Sequence, residues 1–354
     1  MKELQEIVQG IRPADRSFME KAKERTSRLV MPPRALGRLH DMAEKLCGIE
    51  KTERPETGRK AVLIFAGDHG VAADGVSAFP QEVTVAMVST FLAGGAGINA
   101  MARHAGAEVF VVDMGVARDL DPAGLPNAGR LRIMKVDKGT KNFTREPAMT
   151  RDQARDSVLR GFEAASRVLE EGYSLLGTGD MGIGNTTPSA AIGMCVTGAS
   201  ADEMAGRGTG IDDRGLSRKK EAIETGLALH RPDSADGLDV LSKVGGFEIG
   251  GIAGCILAAA YRRKPVVVDG FISTAGALIA AALCPASTDY MFAGHVSEEP
   301  GHRIMLRHLG LSPALDLGMR LGEGTGAALA MSLLDAAARM HREVMTFEEA
   351  GIPG

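Results

Sequence analysis

The sequence contains no tryptophan, and its aromatic content is only 4%. Proteins that bind single-stranded nucleic acid usually stack the bases on aromatic side chains, so this class is disfavoured. The sequence also has no excess of positive charge, because its 41 Lys and Arg residues are outnumbered by 45 Asp and Glu residues, which gives a net charge of −4. Neither nucleic acid nor an anionic membrane surface is therefore an expected partner.

Cysteine is scarce and scattered, at Cys47, Cys195, Cys255 and Cys284. No C-x-x-C pair or other cluster has the spacing of metal ligands, so we expect reduced thiols, no disulfide framework and no metal. Residues 1–18 carry charges throughout and lack the apolar centre of a secretory signal. The uncharged stretches 250–260 and 275–284 are shorter than the ~20 residues of a membrane helix. We expect a cytoplasmic protein without a membrane span.

Glycine is present in excess, at 45 of 354 residues, or about 13% against a usual ~7%. The apolar fraction of 44% and the charged fraction of 24% are those of an ordinary globular protein. At roughly 150 residues per domain, the length indicates about two domains, or one large α/β domain with an appendage. The position of the glycines is the feature that requires explanation.

Short apolar runs alternate with longer segments of helical periodicity. The runs predict strands at 61–66, 108–113, 131–136, 173–177, 265–269 and 289–294. The segments predict helices at 80–104, 151–170, 215–230, 247–262, 272–283 and 326–344. This alternation predicts a parallel sheet flanked by helices on both faces, an α/β fold of Rossmann-like type.

The two ends of the chain differ from its middle. Residues 1–55 are charged and helical in pattern, and the stretch from about 301 to 354 is expected to be helical as well. We predict a small helical domain built from both ends. Residues 56–300 would form the Rossmann-like domain that carries most of the active site.

The glycines gather in loops. Six clusters hold 21 of the 45, at 67–75, 94–97, 177–184, 206–210, 245–254 and 322–326. Several clusters follow a predicted strand, and ligands of open α/β sheets bind at the carboxyl ends of the strands. Glycine allows the backbone to approach a ligand closely, although a single cluster is also explained by turns and helix ends.

The strongest local motif is GTGDMGIGNTTPSAAIGM at 177–194, between a strand and an apolar helix. Thr187 is the expected N-cap of that helix, and Pro188 its first residue. N–H groups at a helix start bind anions, and phosphate is the natural guest. The predicted donors are Gly182, Ile183, Gly184, Asn185 and Thr186. The motif lacks the spacing of a Walker loop and fits the dinucleotide-binding fingerprint only poorly, which disfavours an NAD-type oxidoreductase.

Charged residues accompany the other glycine loops. Lys219 follows the loop at 206–210 and is either a phosphate partner or part of a solvated helix face. Glu323 stands between glycines before a helix, as a partner of a helix terminus or as a general base. Asp180 is a second acid in a glycine loop. Asp68 and His69 follow the first strand and are either site residues or structural ones.

Together these motifs resemble the nicotinate-nucleotide:dimethylbenzimidazole phosphoribosyltransferases, the family that assembles the nucleotide loop of cobalamin. The matching segments occur in family order, at 28–39, 67–84, 179–188, 206–213, 244–254, 265–278, 294–302 and 321–330. The resemblance implies a Rossmann-like domain with a small helical domain, working as a homodimer. It also implies transfer of 5-phosphoribose from nicotinate mononucleotide to 5,6-dimethylbenzimidazole, with inversion to an α-riboside, and no cofactor.

The resemblance assigns roles to single residues. Glu323 matches the general base, whereas Asp180 stands where many members have glutamate, so an auxiliary base role there is weaker. The phosphate would lie on residues 182–186 with Lys219 as its cation, and Gly208 would lie near the nucleotide. The implied pocket for the acceptor base comprises Ser77, Met181 and Leu321, with Phe79, Ser297 and Gly324 at its edges.

Two alternatives stay open at this point. Many relatives carry glutamine near the position of Ala86, so this chain could use another lower-ligand base, such as adenine or a phenol. A nucleotide-binding α/β protein without catalysis could keep the phosphate loop. Glu323 distinguishes the last possibility, because a binding module has no need for an acid in a glycine loop.

Overall fold

The computed structural model describes residues 3–353. A single sheet has the strands β1 (Arg59–Gly67), β2 (Ala107–Gly115), β3 (Leu131–Ile133), β4 (Tyr173–Met181), β5 (Val266–Val268), β6 (Met291–Ser297) and β7 (Pro313–Met319). The helices are α1 (Leu4–Gly10), α2 (Arg16–Thr26), α3 (Arg38–Glu50), α4 (Glu82–Ala93), α5 (Gly97–Ala105), α6 (Arg151–Glu170), α7 (Thr186–Thr197), α8 (Ala201–Met204), α9 (Asp213–His230), α10 (Gly237–Val244), α11 (Phe247–Tyr261), α12 (Phe271–Leu283), α13 (His302–His308) and α14 (Thr325–Glu343). Short 3-10 helices lie at Gly70–Asp74, Pro122–Gly124, Ala128–Arg130 and Pro285–Tyr290.

The sheet is parallel throughout, in the order β3-β2-β1-β4-β5-β6-β7. In its centre, Ile64 of β1 is in register with Val111 of β2 on one side and Gly179 of β4 on the other. The chain runs outward from β1 to β3 and then returns to place β4 beside β1. This reversal opens a crevice at the carboxyl ends of β1 and β4, as in other doubly wound sheets. The predicted Rossmann-like α/β fold is confirmed.

The central strands are buried on both faces, which explains their nearly continuous apolar sequence. All residues of β1 from Ala61 onward are buried, and so are all three residues of β5. Helix α11 is buried from Phe247 to Ala260 and packs between the sheet and α6. The loops at the carboxyl ends of the strands are thereby fixed to a rigid core.

The predicted helix at 80–104 is two helices. Gly94 ends α4 with a φ of +81°, and α5 starts at Gly97. Within the described residues, the segment 82–105 has the length and mean hydropathy, 1.5, of a membrane-spanning helix. This segment, of 24 residues, is longer than the uncharged stretches 250–260 and 275–284 considered from the sequence. The break at Gly94 divides it, and Val88, Phe91 and Ile98 are buried in the core of the protein.

Two further expectations differ from the structure. Helix α7 begins at Thr186 with Asn185 as its N-cap, so Thr187 is inside the helix and is not the cap, and Pro188 is its third residue. The stretch from 301 onward is not purely helical, because Pro313–Met319 is the edge strand β7 and pairs with β6. Its half-exposed residues lack the apolar pattern of the inner strands.

The two chain ends contact each other. Helix α14 packs on α3 and α2, and it also reaches the central strands. The backbone N–H of Val30 donates to Met345, and that of Phe347 donates to Arg28. Glu323 stands just before α14, so the helix that contacts the N-terminal helices also begins at the crevice.

Candidate active site

A cavity of about 200 Å³ opens at the carboxyl ends of β4, β5, β6 and β7. Ten of the residues singled out from the sequence line it together, although they come from four separate segments of the chain. They are Asp180, Met181, Gly182, Ile183, Asn185, Thr186, Gly208, Ser297, Leu321 and Glu323. The parallel sheet accounts for this convergence, because the carboxyl ends of its strands share one edge.

One wall of the cavity is the loop between β4 and α7. Its chain turns through Gly184, whose φ of +88° is in the left-handed region. The N–H of Ile183 donates to Thr84 Oγ1 at 3.3 Å, and that of Asn185 donates to the Gly182 carbonyl at 3.1 Å. Two of the five predicted phosphate donors are thus already engaged. The start of α7 keeps the dipole of a helix N-terminus, which favours anions. Within its first turn, however, the N–H of Thr187 donates to the Gly184 carbonyl at 3.0 Å, and Pro188 has no N–H.

Lys219 is fully buried behind this wall and is not on a solvated helix face. Its Nζ donates to Thr186 Oγ1 at 2.8 Å and to the Gly206 carbonyl at 3.0 Å. Burial lowers the pKa of Lys219 from 10.5 to about 8, opposed by the nearby Glu299 carboxylate. The ammonium therefore does not line the cavity itself, but it is hydrogen-bonded to Thr186, which does.

Asp180 is the second-last residue of β4 and is a buried lining residue of the cavity. Its Oδ2 accepts a hydrogen bond from Asn185 Nδ2 at 2.9 Å. Burial raises the pKa of Asp180 from 3.8 to about 8, with a further contribution from the Asp269 carboxylate. A carboxyl group with this pKa is largely protonated at neutral pH and can donate a hydrogen bond.

Glu323 lines the same cavity as Asp180 and lies in the loop between β7 and α14. It is only 7% exposed, and its Oε2 accepts a hydrogen bond from the N–H of Ile98 at 3.1 Å. Burial raises the pKa of Glu323, while the Ile98 N–H lowers it. The carboxylate is thus both a partner of the first turn of α5 and a wall of the cavity. The first of the two roles considered from the sequence, that of a partner of a helix terminus, is thus observed, although at the start of α5.

The remaining predicted residues lie around the cavity. Ser77 and Phe79 are on the rim, where Ser77 Oγ is 3.3 Å from the Oγ1 of Thr209, a lining residue. Phe79 is 53% exposed. Gly324 faces away from the cavity, since a β-carbon there would lie 2.5 Å from Val62 Cγ1. Gly184 turns the loop behind the wall.

The residues after β1 have distinct surroundings. Asp68 Oδ2 accepts a hydrogen bond from the N–H of Ala117 at 2.8 Å, which ties the end of β1 to that of β2. His69 Nε2 lies 2.8 Å from Glu248 Oε1 in a fully buried pair. Burial lowers the pKa of His69, but the charge and hydrogen bond of Glu248, together with Asp68 and Asp180, outweigh this effect, so the pKa is raised. The pair lies beneath Gly182, where a β-carbon would be 3.2 Å from His69 Nε2.

Sequence reasoning missed three buried polar residues of the site. Asp269 follows β5, His295 is on β6, and Glu299 accepts a hydrogen bond from the N–H of Gly208 at 2.8 Å. Glu299 Oε2 and His295 Nε2 have no hydrogen-bond partner within residues 3–353, and both residues line the cavity. An acid directly after a strand, as in VVVDG, is the signal that identifies Asp269. Glu299 and His295 have no comparable local signal.

The described part of the chain, residues 3–353, contains no group of three or more His, Cys, Asp or Glu side chains arranged to hold a metal ion. Its four cysteines are free. The chemistry available in the cavity is that of carboxyl groups, an anion-binding helix start and a buried ammonium.

Comparisons with known proteins agree with this arrangement. A family model described as a phosphoribosyltransferase matches residues 11–352. The nicotinate-nucleotide:dimethylbenzimidazole phosphoribosyltransferase of Geotalea uraniireducens is 52% identical over 352 residues, which cover 99% of each chain. That of Geobacter sulfurreducens is 52% identical over 99% of this chain and 98% of its own.

A solved structure gives the same result. The crystal structure of the enzyme of this name from Thermus thermophilus superposes with a TM-score of 0.90 at 46% identity, covering 96% of this chain and 99% of that one. Because sequence, length and fold all match across nearly the whole chain, this protein belongs to the nicotinate-nucleotide:dimethylbenzimidazole phosphoribosyltransferase family.

Proposed function

We propose that this chain transfers 5-phosphoribose from nicotinate mononucleotide to 5,6-dimethylbenzimidazole, with Glu323 as the general base. The observation that carries the proposal is the pairing, in one cavity, of a helix start that binds anions with buried carboxyl groups. Nicotinate mononucleotide carries a phosphate at one end and a cationic pyridinium at the other. The phosphate end of the donor thus has a complementary side of the cavity, and a buried carboxylate is available to take the proton of the acceptor.

The phosphate end is the wall formed by the start of α7. Thr186 and Gly208 line it, and Lys219 supplies a positive charge behind Thr186. The N–H of Gly208 donates to Glu299 and is not free to bind the phosphate. Gly208 therefore supports the proposal only by its position beside the nucleotide side of the cavity.

The reaction needs one base and no acid. A ring nitrogen of dimethylbenzimidazole attacks C1′ of the ribose from the face opposite nicotinate, and the bond from C1′ to the pyridinium breaks. Nicotinate leaves with the electron pair as a neutral pyridine nitrogen. The other ring N–H of the acceptor gives its proton to Glu323, which leaves a neutral α-ribosyl benzimidazole.

The position of Glu323 suits this step. Its carboxylate lines the cavity, and Met181, Ser297 and Leu321 line the same cavity as surfaces for a flat aromatic acceptor. Because only the ionised carboxylate accepts a proton, turnover should rise with pH through the raised pKa of Glu323. Asp180, protonated at neutral pH, would support the acceptor as a hydrogen-bond donor and not as a second base.

A second candidate differs in the acceptor. Ala86 is exposed and does not line the cavity, whereas the neighbouring Met87 does. A thioether contacts aromatic rings without selecting their hydrogen-bonding groups. This favours tolerance toward other bases, such as adenine or a phenol, in the same reaction.

We also propose that the chain works as a homodimer. Leu321 and Phe79, both near the mouth of the cavity, are 59% and 53% exposed. Large exposed apolar side chains beside a site are typical of surfaces that a partner covers. Light scattering after size-exclusion chromatography tests this, and a monomer at micromolar concentration contradicts it.

The function is tested with Glu323→Gln, which keeps an acceptor for the Ile98 N–H but cannot take a proton. We expect nicotinate release in the presence of dimethylbenzimidazole to fall about 10²- to 10⁴-fold. Binding of nicotinate mononucleotide, measured by calorimetry, should stay within about threefold. Glu298→Gln, an exposed neighbour of the site, is the matched control and should turn over normally.

Product analysis separates the alternatives. The wild-type chain is incubated with nicotinate mononucleotide and a panel of bases, and riboside phosphates are identified by mass. A preference for another base supports the second candidate, and the absence of any riboside product favours a binding protein. Wild-type turnover by Glu323→Gln would sink the assignment of the base.

A further inference from the structure

The loop that carries Glu323 has an unusual backbone. Gly322, Glu323 and Gly324 have φ values of +79°, +62° and +91°, so three successive residues are left-handed. Two of them are glycines, which adopt this region freely, but glutamate rarely does. Such a conformation persists only where the surroundings hold it.

Asp269, directly after β5, stabilises this left-handed loop. Its Oδ2 accepts a hydrogen bond from the N–H of Gly324 at 3.2 Å, and its Oδ1 accepts one from Ala327 at 2.8 Å. The carboxyl group is 1% exposed and spans the first turn of α14. One rigid strand thus fixes the residue directly after Glu323.

The side chain of Glu323 is held at its other end by the Ile98 N–H. Asp269 and Ile98 therefore act on opposite sides of the loop, one on its backbone and the other on the carboxylate. Gly322 completes the arrangement, since a β-carbon there would lie 3.2 Å from Asp180 Oδ1. Freeing the backbone of the loop would leave the carboxylate with a single tether.

The other charges around Asp269 do not compete for this role. His295 Nε2 is 3.8 Å from Asp269 Oδ1, beyond hydrogen-bond distance. The carboxyl groups of Asp180 and Glu323 face Asp269 without a hydrogen bond to it, and burial with the repulsion of Glu323 raises the pKa of Asp269, against the backbone N–H groups that lower it.

We propose that Asp269 is a positioning residue of the transferase: it fixes the left-handed loop 322–324 and thereby places the Glu323 carboxylate in the cavity. The inference rests on the proposed function, because it gives Asp269 no task other than to hold the base. Asp269 contacts the backbone of α14 and need not touch either substrate.

The test is a double-mutant cycle between Asp269→Ala and Glu323→Gln. In the wild-type background, Asp269→Ala should reduce kcat about 10- to 100-fold, the usual effect of misplacing a catalytic group by about 1 Å. In the Glu323→Gln background it should reduce the residual turnover less than about threefold, since the base it positions is already disabled.

Two further variants guard against a folding defect. Asp269→Asn keeps one acceptor oxygen and should recover part of the lost kcat. Asp113→Asn is the matched control, because Asp113 is also a buried acid at a strand end that accepts a backbone N–H, from Val116 at 2.9 Å. It lies outside the cavity and should leave kcat unchanged.

A second readout separates positioning from stability alone. If the loop is released, Glu323 becomes more solvated, its pKa falls toward the ordinary value, and the acid limb of the kcat/KM profile moves to lower pH in Asp269→Ala. Binding of nicotinate mononucleotide should stay within about threefold of wild type. Loss of stability without a moved acid limb would overturn the positioning role.

The outcomes are distinguishable. If Glu323→Gln keeps turnover, the proposed base fails. If Glu323→Gln is impaired but the two substitutions act independently, so that Asp269→Ala costs the same factor in both backgrounds, the base stands and the positioning role of Asp269 is refuted. An unmoved kcat in Asp269→Ala refutes it as well.

Discussion

The buried ammonium of Lys219 shows how strongly surroundings alter a single residue. From the sequence, Lys219 and Lys220 are adjacent lysines of one helix. In the structure, Lys219 is fully buried against Thr186, whereas Lys220 forms an ion pair with Asp202 at 2.7 Å. Spacing alone left a solvated face open for both residues, because the loop at 206–210 that covers Lys219 is brought in by the fold.

We predict that Lys219→Met weakens binding of nicotinate mononucleotide about 10- to 100-fold, since the proposed cationic partner of its phosphate is lost. The wild-type affinity should also fall as pH rises above 8, because the free Lys219 has a pKa of about 8 and is neutral at higher pH. The variant should lose the part of this dependence that comes from Lys219 and keep the part that comes from ionisation of Asp180, whose pKa is also about 8. Calorimetry between about pH 6.5 and 9.5, a range that brackets this pKa, measures both effects.

Lys220→Met is the control for this prediction and should keep both the affinity and its pH dependence. The KM for dimethylbenzimidazole should not change in either variant, because the proposed position of the acceptor is on the side of Glu323. An equal loss for donor and acceptor in Lys219→Met would contradict the placement of Lys219 at the phosphate.

Among the elements, the loops at the strand ends determine the site, and their predictability varies. The sequence predicts helix α6 with its observed bounds from the helical periodicity of 151–170, and in the structure Thr150 and Gln153 form a capping box at its start. It does not predict the edge strand β7, since the strand state there depends on pairing with the distant β6. Several glycine loops are located correctly from the sequence, but Gly250, Gly251 and Gly254 of the cluster 245–254 lie inside helix α11 and not in a loop. The left-handed backbone at Glu323 is not predicted either.

We predict that Gly324→Ala disables the site through the start of α14. An alanine would be strained at a φ of +91°, and its β-carbon would lie 2.5 Å from Val62 Cγ1. The start of the helix must then move, so turnover should fall at least about tenfold. The free energy of unfolding should fall by about 2–4 kcal/mol, measured in urea.

Gly198→Ala isolates the cost of the backbone conformation. Gly198 ends α7 with a φ of +73°, and a β-carbon there meets nothing within 4 Å. It should lose about 1–2 kcal/mol of stability and keep its turnover. If both variants kept full activity, the packing of Gly324 on Val62 would not matter for the placement of Glu323.

At the scale of the whole molecule, the two ends of the chain contact each other, and the carboxyl ends of the sheet strands position the candidate site. The alternation of strands and helices is sufficient to predict the central architecture, because strand–helix–strand units give parallel sheets. How the ends meet cannot be read from the sequence, since no local pattern records a contact between residues so far apart in the chain. We propose that α1–α3 and the end of α14 form a helical subdomain that borders the α/β domain.

Arg25 is the residue that joins the two ends most directly, and it provides the test of this subdomain. Its guanidinium donates to the His341 carbonyl at 3.0 Å and the Val344 carbonyl at 3.2 Å, and it pairs with Glu349 at 3.0 Å. Arg25→Ala should therefore lower the free energy of unfolding by about 1–3 kcal/mol. Hydrogen exchange should accelerate in α1–α3 and at the end of α14, but not in β1 and β4.

Binding of nicotinate mononucleotide should be unchanged in Arg25→Ala, because its determinants lie at the strand ends. Arg28→Ala is the matched control: Arg28 is exposed, and its Nε donates to the Glu24 carbonyl within the same segment at 3.2 Å. Its substitution should change stability by less than about 0.5 kcal/mol. Faster exchange in β1 and β4 together with the helices of the ends would instead show that the chain unfolds as a single unit, with no separate subdomain.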